Sequence, residues 1–253
     1  MYIEFVGAPG SGKTFFFKKL TKFFNEKKIQ FETPKDVFIN LYLKKKTNSL
    51  KIKKYLFQYY FKHFNPYSNF LFKKESTDLK LFIQKEIRSS KKIRVLVEGY
   101  KNFIKDRFIP RSLLNRMIFN FKIDCIGIIK KNNNSKILIA EEGIYQKFYL
   151  NFKSQKLEKK KIDQNFLKIF NTFKNPKIIF FFNYNIKSSM SRAKKRKNGF
   201  KYFINKQFLL DDKYYFNDYL IEFAKKKKIN ILNVYYKKKL KVNLNENFTR
   251  RLF

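Results

Sequence analysis

The chain has 253 residues, with 59 Lys plus Arg against 19 Asp plus Glu and a formal charge of +40. Its 44% hydrophobic content, including 33 Phe and 16 Tyr, is enough for a folded core and argues against wholesale disorder. A single cysteine, Cys125, and a single histidine, His63, exclude an intramolecular disulfide framework, a Cys-rich zinc site and a His-based metal cluster.

In chain order, a strand is expected at Tyr2–Val6, where a secretory signal would instead show a charged and then a long apolar region. No uncharged apolar stretch reaches the roughly 18 residues that span a bilayer, so the expected location is cytoplasmic. A glycine-rich segment, 7–14, follows, and then a helix over Lys13–Asn25 and a strand over Lys28–Phe31. Ser49–Phe64 reads as an amphipathic helix with Ile52, Tyr55, Leu56, Tyr59 and Tyr60 on one face. Further helices are expected at Asp78–Ser90 and at Arg111–Ile129, the latter entered through Pro110. Between them, Ile93–Gly99 fits a strand by its β-branched residues and a helix by its spacing. Strands at Lys136–Ala140, Lys177–Phe182 and Ile229–Tyr235, with helices at Ser188–Arg196 and Asp211–Lys226, complete the chain. Five strands alternating with helices predict an α/β fold with a mostly parallel five-stranded sheet covered on both faces. There is no internal repeat and no Gly/Ser- or Pro-rich linker, so one domain over 1–253 is expected.

Gly7-Ala8-Pro9-Gly10-Ser11-Gly12-Lys13-Thr14 matches G-x-x-x-x-G-K-[ST] in full, between an apolar strand and a helix. Three of the seven glycines fall in this window. They let successive backbone N–H groups turn inward on phosphate oxygens, while the following helix offers its N-terminal dipole. Lys13 is placed to reach β- and γ-phosphates and the Thr14 hydroxyl to ligate Mg²⁺.

With the loop beginning at residue 7, the chain resembles small P-loop kinases of the thymidylate kinase-like or nucleoside-kinase-like group. The segment Ile137-Leu138-Ile139-Ala140-Glu141-Glu142-Gly143-Ile144-Tyr145-Gln146-Lys147 is similar to a strand followed by Asp-Glu-Gly and a Gln-Arg pair in thymidylate kinase-like ATP-binding proteins. Here Glu141 stands where an Asp is usual and Lys147 where an Arg is usual. The strand 177–183 leads into Ser188–Arg196, which looks like the lid entry of such kinases, and the short strand Ile229–Tyr235 follows at the expected end. The resemblance implies a three-layer P-loop NTPase fold with a small lid over 188–213. It also implies a helical acceptor-binding insertion over 40–130, and ATP and Mg²⁺ as cofactors.

The carboxyl ends of strands are where open α/β sheets place their sites. That singles out Glu141 for the metal and Glu142 for the acceptor or its proton, with Glu98, after Val95–Val97, as the rival carboxylate. Arg192 and Arg196 stand i, i+4 on one helical face, in a chain with nine arginines against 50 lysines. As lid residues they would neutralise charge on a transferring phosphoryl group. Cys125 and the Phe15–Phe17 and Phe180–Phe182 runs are expected in the core, and His63 on the amphipathic helix.

These readings converge on a kinase that moves the γ-phosphate of Mg-ATP to a small, anionic acceptor, with a nucleotide or nucleoside as the leading class. Lys13, Glu142, Arg192 and Arg196 are its expected catalytic residues. The alternatives are a nucleotide-dependent switch without transfer, and a polynucleotide kinase that would employ the +40 charge on nucleic acid. Lys, Asn, Ile, Phe and Tyr, all with A/T-rich codons, supply 150 of the 253 residues. The charge is therefore read mainly as composition and solvated faces.

Overall fold

The first strand, β1 (Tyr2–Gly7), is buried along its whole length, as a strand covered on both faces must be. In this computed structural model the described residues are 1–8, 10–45, 73–104, 111–131, 136–151, 171, 175–182 and 220–234. They fall into two compact units. One comprises Met1–Phe31 and the described parts of 134–164 and 175–253, and the other the described parts of 32–133 and 165–174.

In the first unit, β1 is followed by α1 (Lys13–Glu26) and the first residue of β2 (Phe31–Glu32), then by β3 (Ile137–Ala140), α6 (Ile144–Asn151), β4 (Ile178–Phe182), a helical segment over 220–226 and β5 (Asn230–Asn233). The five strands form one sheet in the order β2-β3-β1-β4-β5. β1 pairs in parallel with β3 and β4, and β4 in parallel with β5. The expected α/β class and five-stranded parallel sheet are therefore present. The order is neither of the common doubly wound ones, because β3 and not β2 lies beside β1. The chain leaves β1 for one edge, returns to β3, then crosses to β4 on the other side of β1. Connections diverge at β1, and its carboxyl end is the topological switch point where such sheets hold ligands.

Side-chain alternation sends Ile3 and Phe5 to one face, against Phe16, Leu20, Phe23 and Phe24 of α1. Phe5 stacks on Phe180 at 5.2 Å between centroids and meets Phe16 edge-on at 5.7 Å. Tyr2 and Glu4 take the opposite face, where α6 buries Ile144, Tyr145 and Phe148. Tyr145 also packs near Phe223 of the 220–226 helix.

The second unit contains α2 (Pro34–Lys45), α3 (Lys73–Ser89), α4 (Lys91–Ile104) and α5 (Arg111–Ile129). Ile93–Gly99, open between strand and helix from its residues, lies within α4. Ile93, Leu96, Val97, Tyr100 and Ile104 are its buried residues, a 3-4 spacing that outweighs β-branched propensity. Tyr100 stacks flat on Phe121 of α5 at 4.0 Å. Helix α2 starts with a reciprocal cap: the Thr33 N–H and hydroxyl donate to the Asp36 carboxylate, and the Asp36 N–H donates to the Thr33 hydroxyl. Cys125 is buried, as expected, and burial pushes its thiol well up. The amphipathic segment 49–64 with His63, and the lid segment 188–213, lie outside the described residues.

Glu86 on α3 ties this unit together. Its side chain is 7% exposed and bridges Lys45 of α2 at 2.5 Å and Lys130, just past α5, at 3.3 Å. Burial alone would raise its pKa, but the two ammonium groups outweigh that and hold it below the usual value. A lowered folded pKa contributes stability at pH values above the unfolded one, and that contribution is lost as pH falls through the folded value. Glu86→Gln is expected to cost about 1–2 kcal/mol at neutral pH and progressively less in acid. Denaturant unfolding across pH checks this, and a loss that does not shrink on acidification contradicts it.

Candidate active site: the loop at the end of the first strand

The strand–loop–helix expected from the sequence is present, with β1 ending at Gly7 and α1 starting at Lys13. Gly10 and Gly12 adopt φ of 79° and 98°, a left-handed backbone that disfavours side chains. Pro9 lies outside the described residues. Gly12 is the N-cap of α1 with no side-chain cap, and the first turn carries no acidic residue. The amide end of α1 therefore keeps its positive dipole uncompensated by any carboxylate of that turn.

Lys13 is 8% exposed. Its ammonium donates to the carbonyl oxygens of Gly7 at 2.7 Å and Ala8 at 3.0 Å. Ser11 is 1% exposed, and its buried hydroxyl has no hydrogen-bond partner among the described residues. Buried hydroxyls are normally satisfied, so this one is a polar atom still seeking a partner inside the loop. Thr14 is exposed on the first turn of α1. A short loop with left-handed glycines, a buried lysine, an unsatisfied hydroxyl and an uncapped helix end suits a polyanion of phosphate type.

No protein-family model matches the chain, and no curated protein does. The site must therefore be read from its own chemistry.

Beside the loop, on the α6 face of the sheet, lies a residue that sequence reasoning missed. Glu4 is fully buried in β1. Its Oε2 accepts from the Tyr2 hydroxyl at 2.6 Å, and its Oε1 from the Gln146 backbone N–H at 2.8 Å. Gln146 stands in the first turn of α6, so the Glu4 carboxylate caps that helix across 142 residues of sequence. A Cβ at Gly143 would collide with this carboxyl, which is why that turn needs glycine. Burial pushes the Glu4 pKa up to about 7, against the lowering pull of Tyr2, the Gln146 amide and Lys147. The signal available in sequence was a lone glutamate in an otherwise apolar strand.

The Gln146 side chain closes the arrangement. Its Oε1 accepts from the Gly7 N–H at 2.8 Å and its Nε2 donates to the Gly7 carbonyl at 3.1 Å. Glu141 and Glu142 follow β3 as the turn into α6, Glu141 half-buried and Glu142 exposed. Ala140, which precedes them, is in register with Glu4, so the pair leaves the sheet beside β1 as the strand-end expectation requires. Glu98 is exposed on α4 and ends no strand. Among the described residues no three His, Cys, Asp or Glu cluster as a metal cage, and no helix is long and apolar enough to cross a membrane. Arg192 and Arg196 lie outside the described residues. Phe16 and Phe180–Phe182 are buried as expected. Phe15, expected in the core, is instead 51% exposed, with the Lys19 ammonium 4.9 Å from its ring centre. It points away from the face that carries Phe16 and Leu20.

The raised Glu4 pKa has a definite sign. The folded state holds this proton more tightly than an ordinary glutamate of pKa 4.5, so the group's contribution is full below that value and falls as pH rises to about 7. Glu4→Gln retains an acceptor for the Gln146 N–H, and the Tyr2 hydroxyl can accept as well as donate. This variant is expected to flatten the decline in stability over that window and to gain roughly 2–3 kcal/mol at about pH 8. Unfolding free energies measured across pH test it, and an unchanged slope rejects it.

Proposed function

We propose that the chain is an ATP-dependent phosphotransferase of the P-loop kinase type, acting on a small acceptor. The observation that carries this reading is the loop itself. Left-handed Gly10 and Gly12, buried Lys13 and the unsatisfied Ser11 hydroxyl stand before an uncapped helix end, at the switch point of a parallel sheet. The residues fit the group: amide and ammonium donors for phosphate oxygens, hydroxyl and carboxylate oxygens for a hard cation.

In this reading residues 7–14 cradle the triphosphate, with Lys13 leaving its carbonyl contacts for the β- and γ-phosphates. Thr14 and Glu141 would hold Mg²⁺, which would neutralise phosphate charge. Glu142 orients the acceptor or takes its proton, and Arg192 and Arg196, which lie outside the described residues, would neutralise charge on the transferring group. Catalysis is positioning and charge stabilisation, so each residue acts by where it holds a charge. A nucleotide or nucleoside is the leading acceptor class, with a sugar or other metabolite next, and the excess of lysine favours the anionic members of these classes.

Transfer of labelled γ-phosphate to pooled nucleosides, nucleotides, sugars and oligonucleotides tests the proposal. Wild type is expected to label one class, and Lys13→Ala to lose about 10²-fold or more of that activity. Nucleotide binding with slow hydrolysis and no labelled acceptor would point to a switch. Labelling of oligonucleotides alone would give the charge a direct role.

A further inference from the structure

Successive residues of a β-strand turn their backbone polar groups to alternate sides. In β1, the Tyr2 carbonyl accepts from Lys177 on the β4 side, and the Met1 carbonyl from Leu138 on the β3 side. Gly7 has the parity of Met1, so its N–H and C=O face towards β3. But β3 ends at Ala140, level with Glu4, three residues before Gly7. The carboxamide of Gln146, fully buried, takes the place of the missing strand by pairing with both the Gly7 N–H and C=O. The same Gly7 oxygen also accepts from the Lys13 ammonium. One carbonyl thus holds two donors, and one of them is the loop lysine.

We infer that Gln146 is a positioning residue that lets Lys13 move to a bound phosphate, because it keeps the Gly7 carbonyl hydrogen-bonded when the ammonium leaves. The inference rests on the phosphate-binding reading of the loop and adds to it how the lysine is released. A buried carbonyl stripped of its donors is penalised, so a second, permanent donor lowers the cost of the lysine's departure. It also holds Gly7 in its ladder position, so the loop starts from the same place in both states. The charged and titratable groups around the carboxamide are Lys13 on the shared carbonyl, Glu4 on the Gln146 backbone N–H, Tyr2 on Glu4, and Lys147 next in sequence.

ATP titration of wild type, Lys13→Ala, Gln146→Met, Gln146→Glu and the Lys13→Ala/Gln146→Met pair tests this, with thermal unfolding of each in parallel. Gln146→Met is expected to weaken ATP binding ~10-fold in the wild-type background. In the Lys13→Ala background it should change binding by less than ~2-fold, because no lysine remains to be released. Gln146→Glu offers the Gly7 carbonyl no donor while ionised at about pH 8 and regains an O–H donor on acidification, because burial at position 146 raises a carboxyl above its ordinary value. Its affinity relative to Gln146→Met, which shares Glu4 but lacks the new carboxyl, should therefore improve on acidification. Equal losses in both Lys13 backgrounds make Gln146 a strut only and overturn the inference, as does wild-type affinity in Gln146→Met. Where Gln146→Met does not fold, a Gln146→Glu variant without acid recovery overturns it. A wild type that does not bind ATP overturns the phosphate-binding reading, and this inference with it.

Discussion

The first unit is organised by a mismatch in strand length. β1 runs to Gly7, while its neighbour β3 stops level with Glu4. Backbone polar groups buried at the end of a central strand must be paired, and no strand is there to pair them. A side-chain carboxamide does so instead, which requires α6 to begin where Gln146 can reach back to Gly7. That places the α6 N-terminus against β1, where its amides need an acceptor, and Glu4 provides one. The turn between β3 and α6 then has no room for a Cβ at Gly143. One backbone deficit thus accounts for a glutamine, a glycine three residues before it and a buried glutamate 142 residues away.

Three helix N-termini in this protein are treated in three ways. α2 is satisfied locally, by Thr33 and Asp36 within one turn of chain. α6 is satisfied from a distance, by a carboxylate buried in β1. α1 has neither a side-chain cap nor an acidic first turn, and it is the one that follows the glycine-rich loop. A helix dipole left without an acceptor beside a buried lysine and an unsatisfied serine hydroxyl stores a preference for an anion. Lys13 ties the two ends of the loop together by donating to the Gly7 and Ala8 carbonyls.

Elements with one dominant signal were legible residue by residue. β1 and α1 were readable because an apolar run, a glycine cluster and a 3-4 spacing of Phe16, Leu20, Phe23 and Phe24 agree. Arg111–Ile129 was readable because Pro110 marks its start and nothing interrupts it. Others were missed although a signal existed. Thr33-Pro34-Lys35-Asp36 is a complete helix start, yet the helix behind it has a weak apolar stripe. α6 has only eight residues and takes its N-terminal stability from Glu4, so local sequence carries little of it. Ile93–Gly99 was ambiguous because β-branched residues at helical spacing satisfy both templates, and burial of Ile93, Leu96 and Val97 on one side decided for the helix.

By itself, the sequence determined the loop chemistry, since a Gly-x-x-x-x-Gly-Lys-Thr run carries its own backbone freedom, charge and hydroxyl. It also determined the α/β class, because alternating strand and helix periods leave few other ways to bury that much Phe and Ile. Only the tertiary structure decided the strand order and the burial of Glu4. It alone paired Gln146 with Gly7, 139 residues away in the chain. The reason is physical. A residue's type sets which hydrogen bonds it can make, but which bonds are compulsory depends on which backbone groups the fold leaves unpaired, and that is known only once the strands have found their neighbours.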